Sequence, residues 1–133
     1  LEEKFLDKVI HFEIPVDDLE RAKKFYKNAF DWGLNLIPEL EYTLVQTVQV
    51  DNTTQMPKEA GAINGGMMQR TDALKAPIIT IGVQDIDAAI KKVTELGGKI
   101  IQGKNTVPNM GITAYFQDTE GNVMGLWQPL RQS

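Results

Sequence analysis

Val9-Ile10-His11-Phe12-Glu13-Ile14-Pro15-Val16-Asp17-Asp18 is the stretch on which the reading of this chain turns. Apolar residues alternate with His11 and Glu13, as on a half-buried strand, and the run ends in two carboxylates suited to a helix start. Residues two apart on a strand share a face, so His11 and Glu13 look one way while Ile10, Phe12 and Ile14 look the other. His11 is the only histidine of the chain, so metal and acid–base hypotheses both pass through it. Asp17 or Asp18 can cap the free N–H groups of the helix that follows. Leu19, Ala22, Phe25, Tyr26, Ala29 and Phe30 recur at steps of three and four and predict its buried stripe, with Gly33 as its stop.

Working outward, β-branched and aromatic runs predict strands over 34–37, 42–50 and 62–70, separated by a turn at 38–41 and a loop at 51–61. The pattern then restarts. A strand over 77–83 leads into a helix whose stripe is Ile86, Ala89, Ile90, Val93 and Leu96, closed by Gly97-Gly98. Short strands follow at 99–102, 112–117 and 123–128, with a loop at 105–111 and a polar hairpin turn at Asp118-Thr119-Glu120-Gly121-Asn122. The two halves align. At an offset of 67, Val16-Asp17-Asp18-Leu19 falls on Val83-Gln84-Asp85-Ile86. At an offset of 59, Gly66-Met67-Met68-Gln69 falls on Gly125-Leu126-Trp127-Gln128. The expected fold class is α+β, two tandem βαβββ modules (about 8–70 and 77–129) within a single domain over 1–133. A lone module of that size is marginal, so the pair should complete one core.

The duplicated layout, the opening Ile10-His11-Phe12-Glu13-Ile14-Pro15-Val16-Asp17-Asp18-Leu19-Glu20-Arg21-Ala22, the repeated Val83-Gln84-Asp85-Ile86-Asp87-Ala88-Ala89 and the ending Asp118 to Gln128 resemble the vicinal oxygen chelate superfamily. This is the fold of glyoxalase I, bleomycin-resistance proteins, fosfomycin-resistance enzymes and extradiol dioxygenases. The resemblance implies a concave mixed sheet around a cavity, a homodimer, and in the enzymes a divalent metal held by the first and last strands of each module. Carried onto this chain, those ligand positions are His11, Ile78, Gly66 and Gly125. Only His11 is a retained ligand position, and neither final strand holds an Asp, Glu or His. A catalytic divalent metal wants about three protein ligands. The expectation is therefore no cofactor and no family-type metal.

Strand alternation then places Asn64, Met68, Ile78, Thr80 and Trp127 on the side of His11 and Glu13. They would line an apolar cup with one polar end, suited to a small, partly apolar ligand. Gly66 and Gly125 are expected to leave that space open. Met68 and Trp127 are read equally well as core, and His11 as a histidine hydrogen-bonded to Glu13 or to backbone. His11 and Glu13 are the candidate catalytic pair. Three functions stay open: ligand binding without metal chemistry, acid–base catalysis on a small carbonyl or hydroxyl compound, and a structural or protein-interaction role.

Composition narrows the field. The chain has 133 residues, 42% of them apolar, and a net charge of −4, with no basic footprint for nucleic acid or anionic membrane. The absence of cysteine excludes disulfides, thiolate metal sites and cysteine nucleophiles. The only serine is Ser133, which removes a serine nucleophile from consideration. Leu1-Glu2-Glu3-Lys4 shows no charged-then-apolar leader, and the expected location is the cytoplasm.

Overall fold

The computed structural model describes residues 6–130; Leu1 to Lys4 and Ser133, considered above, lie outside the described residues. The chain divides into two compact units, one from His11 to Ile78, the other made of the residues up to Ile10 and those from Ile79 onward. Each unit is an α+β assembly of four strands and one helix.

The His11–Ile78 unit takes most of β1 (Val9–Val16), then α1 (Leu19–Phe30), β2 (Gly33–Ile37), a 3-10 turn (Pro38–Leu40), β3 (Tyr42–Gln46) and β4 (Gly65–Gln69). Its strand order is β2-β3-β4-β1, with β1 parallel to β4 and the other neighbours antiparallel. Val16, Val45 and Met67 are buried against Phe12, Ile14, Leu19, Ala22, Tyr26, Trp32 and Leu34. Each fully buried side chain of this size contributes about 1.5–3 kcal/mol over its exposed state. Of the two candidate caps, Asp18 does the work, accepting from the Arg21 N–H at 3.0 Å. Asp17 instead pairs with Arg70 at 2.9 Å.

The helix buries a narrower stripe than expected. Leu19, Ala22 and Tyr26 face the sheet, while Phe25 and Phe30 remain 60% and 58% exposed. One sheet face supports one line of contacts, and the extra aromatics lie edge-on against Tyr26 and beside Trp32. The helix stops at Asp31, in the left-handed conformation with φ 59°, and Gly33 opens β2 instead. β3 ends at Gln46, earlier than the expected 50. The N–H groups of Thr47 and Val48 turn to the Asn64 side chain rather than continuing a ladder.

The other unit repeats the path with β5 (Ile78–Gly82) from Ile79 onward, α2 (Ile86–Glu95), β6 (Lys99–Val107), β7 (Gly111–Gln117) and β8 (Val123–Pro129), in the order β5-β8-β7-β6. β5 runs parallel to β8, as β1 does to β4. Asp85 caps α2 through the Ala88 N–H at 3.1 Å, which repeats the Asp18 cap at the offset seen in the sequence. Val83, Ile86, Ala114, Phe116 and Leu126 form the buried cluster. Leu96 leaves the stripe, 73% exposed at the helix C-cap. β6 is longer than expected, running through 107 with two register shifts against β7. Those bulges absorb polar residues that read as loop in the sequence. Among the described residues no helix is long and apolar enough to cross a membrane.

Candidate functional site

The strand pairings of the His11–Ile78 unit define a face opposite α1. Glu13 stands opposite Gly66 across the parallel β1/β4 pair, and Leu44 stands opposite Gly66 across the antiparallel β3/β4 pair. Directly paired residues share a face, and so do residues two apart. His11, Glu13 and Pro15 on β1, Gly66 and Met68 on β4, and Tyr42 and Leu44 on β3 therefore point the same way. Phe12, Ile14, Val45 and Met67 point into the core with α1.

A residue that sequence reasoning missed organises this face. The Tyr42 hydroxyl donates to Glu13 Oε2 at 2.8 Å and lies 2.8 Å from His11 Nε2. The His11 and Tyr42 rings are near parallel, at 17° with centroids 6.4 Å apart. Gly66 makes this reach possible, because a Cβ there would overlap the phenol oxygen and two ring carbons of Tyr42. The space expected to stand open above Gly66 is filled by the chain's own phenol. Tyr42 was visible as a strand residue, but the signal was incomplete without knowing that β3 pairs with β4 in this register.

Hydrogen bonding assigns the protons. A phenol has one proton to give. Donated to Glu13, it leaves the phenol oxygen to accept from His11 Nε2–H. The imidazole is then the Nε2-protonated tautomer, and Nδ1 carries the lone pair with no hydrogen-bond partner among the described residues. Burial lowers the His11 pKa below the ordinary histidine value of 6.5, and the Glu13 charge only partly opposes it. The ring is thus held neutral. Glu13 itself is buried, 7% exposed.

The other candidate residues separate. Met68, half-buried, stands opposite Pro15 on the same face as the triad. Asn64 is committed to architecture. Its Oδ1 accepts from the Thr47 and Val48 N–H groups at 2.8 and 2.9 Å, which stitches the end of β3 to the start of β4. Ile78 is fully buried. Thr80 and Trp127 belong to the other unit. There Thr80 is buried opposite Gly125, and the indole of Trp127 packs against Gly111. The expectation of open space also fails at Gly125, since a Cβ there would stand 2.8 Å from Thr80 Oγ1. A shallow depression of about 460 Å³ in that unit is lined by Val83, Gln84, Gln128, Pro129 and Leu130, and no member of the triad contributes to it.

The residues present do not fit a divalent metal of the kind the resemblance implies. His11 has one ring nitrogen engaged by Tyr42 and could offer only the other, while the Gly66 position, which has no donor of its own, is covered by the same phenol. Among the described residues no three His, Asp or Glu side chains come together as a metal-binding group.

Comparison with known proteins places this architecture. A family model described as bleomycin resistance protein-like N-terminal matches residues 8–48. A glyoxylase-like domain-containing protein of Didymella fabae is 30% identical over 115 residues, covering 83% of this chain and 84% of that protein. A protein of Mycobacterium bovis named as a glyoxylase, CFP32, is 29% identical over 121 residues. That match covers 90% of this chain, which spans only 44% of the mycobacterial protein's length. Among solved structures, a methylmalonyl-CoA epimerase of Streptomyces coelicolor superposes with a TM-score of 0.64 at 15% identity, covering 96% of this chain and all of the other. At that identity the likeness is one of fold alone. With the duplicated βαβββ path and the Didymella fabae relative matched over most of its length, the chain belongs to the vicinal oxygen chelate superfamily, among its glyoxalase-like members.

Proposed function

We infer that this protein binds a small, partly apolar organic molecule at the His11 face, without the metal chemistry of its enzyme relatives. The observation that carries the reading is the His11–Tyr42–Glu13 chain of hydrogen bonds built over Gly66. It holds a neutral imidazole, hydrogen-bonded through Tyr42 to Glu13, over Gly66, and so bears on two of the positions, His11 and Gly66, at which the resemblance expects metal ligands. Leu44, 37% exposed, and half-buried Met68 supply apolar surface on the same face. One polar group set in apolar surroundings orients a ligand rather than activating it.

Two measurements on the whole chain test this. A thermal-shift screen should find ligands that raise the midpoint in the native protein and lose that effect in His11→Ala, because a ligand at 100 times its Kd adds about 2.7 kcal/mol to stability. Metal analysis after incubation with Zn²⁺, Ni²⁺ or Mn²⁺ should return no stoichiometric ion. Stoichiometric metal that disappears in His11→Ala would overturn the reading.

One feature favours a second reading, acid–base chemistry on a small carbonyl or hydroxyl compound. A neutral imidazole joined through a phenol to a buried carboxylate can take up a proton at Nδ1 while Tyr42 and Glu13 stabilise the cation. Turnover of a bound compound that is lost in His11→Gln while binding persists would establish it.

A further inference from the structure

We propose that Tyr42 is a positioning residue that locks His11 in its Nε2-protonated tautomer, so that the site meets its ligand through an acceptor, Nδ1, and selects neutral hydrogen-bond donors. This rests on the small-molecule reading above and names the ligand class: alcohols, phenols and amides with an apolar body, in preference to carboxylates and phosphates.

The geometry leads there in three steps. Glu13 accepts the only proton Tyr42 can give, so the phenol oxygen turns its lone pairs to His11. The phenol cannot swing away to the sheet surface below it, because Gly66 and the ring already lie in contact there. The imidazole is therefore ordered with Nε2–H engaged and Nδ1 bare among the described residues. A hydroxyl or amide N–H can donate into that lone pair. A carboxylate, or a fully ionised phosphate group, offers only lone pairs of its own and is turned away. Leu44 and Met68, on the same face, fit the apolar body of such a ligand.

His11 is the chain's only histidine, so its two ring nitrogens can be read without ambiguity. The experiment is a long-range ¹H–¹⁵N spectrum of the full chain labelled at histidine, at a pH well above the ordinary histidine value, for the native protein and for Tyr42→Phe. The native spectrum should show Nε2 protonated and Nδ1 bare in a roughly tenfold excess over the other tautomer, the preference one ordinary hydrogen bond sustains. Tyr42→Phe should reduce that excess severalfold, toward the intrinsic preference of a free imidazole. A native protein dominated by the Nδ1–H form, or a ratio unmoved by Tyr42→Phe, overturns the proposal. The native spectrum decides the first of these even if the variant fails to fold.

Benzyl alcohol and benzoate then test the ligand rule. Displacement of the Nδ1 resonance by benzyl alcohol and not by benzoate bears it out. Displacement by benzoate overturns the donor rule but leaves small-molecule binding standing. No displacement by either, in a protein whose tautomer is as stated, overturns this face as a ligand site and the functional reading with it.

Discussion

The phenol of Tyr42 occupies the space that a side chain at position 66 would need, and from there it joins His11 to Glu13. The glycine and the tyrosine are 24 residues apart in sequence, yet they form one packing unit. Gly66→Ala should therefore destabilise the protein by about 1–3 kcal/mol, the ordinary effect of overpacking a well-filled site. In a Tyr42→Ala background the same substitution should cost far less, since the clashing ring is gone. Urea denaturation of the four proteins gives the coupling directly. Additive effects would show that the two residues do not share the space.

Burial holds the pKa of His11 below 6.5 in the folded chain, while the unfolded chain titrates near the ordinary value. The unfolded state therefore takes up its proton first as the pH falls. The stability linked to His11 is complete above the unfolded value and is lost progressively as the pH drops toward the folded one. Denaturation midpoints measured between about pH 8 and pH 5 should fall more steeply in the native protein than in His11→Gln. Parallel curves would mean that the imidazole is not held neutral by the fold.

Thr43 is fully buried on the core side of β3, and its hydroxyl has no hydrogen-bond partner among the described residues. Its neighbour across the sheet is Met67, which offers little in return. Thr43→Val keeps the branched shape and removes the orphaned oxygen. A gain of about 1 kcal/mol in chemical denaturation is expected. A loss would reveal a partner for the hydroxyl.

Asn64 braces the end of β3, its Oδ1 accepting from two successive backbone N–H groups. Asn64→Ala leaves the N–H groups of Thr47 and Val48 without their acceptor and should destabilise the unit by about 1–2 kcal/mol. Asn64→Asp keeps the oxygen and should recover most of that loss. If Asn64→Ala leaves stability unchanged, solvent has replaced the side chain and the brace is dispensable.

The local order of elements was legible from residue type and period alone. Alternation in 9–16, the carboxylates before Leu19 and Ile86, and the repeat at an offset of 67 predicted two βαβββ paths, and both are present with matching Asp18 and Asp85 caps. Such features depend on neighbours three or four residues away, so the chain writes them locally. Even the face carrying His11 and Glu13 follows from the two-residue period of a strand. Element ends were less legible. β3 stops at Gln46 because Asn64 captures the next N–H groups, and β6 continues to Val107 because bulges accommodate its polar run.

What stands beside His11 was decided only by the tertiary structure. Period alone read Gly66 as empty space, since a glycine projects nothing. The β3/β4 register brings Tyr42 across that gap, turning an apparently stripped metal site into a closed chain of His11, Tyr42 and Glu13. Register between strands far apart in sequence is set by the packing of the whole sheet, and no local pattern around Tyr42 encodes the partner it meets.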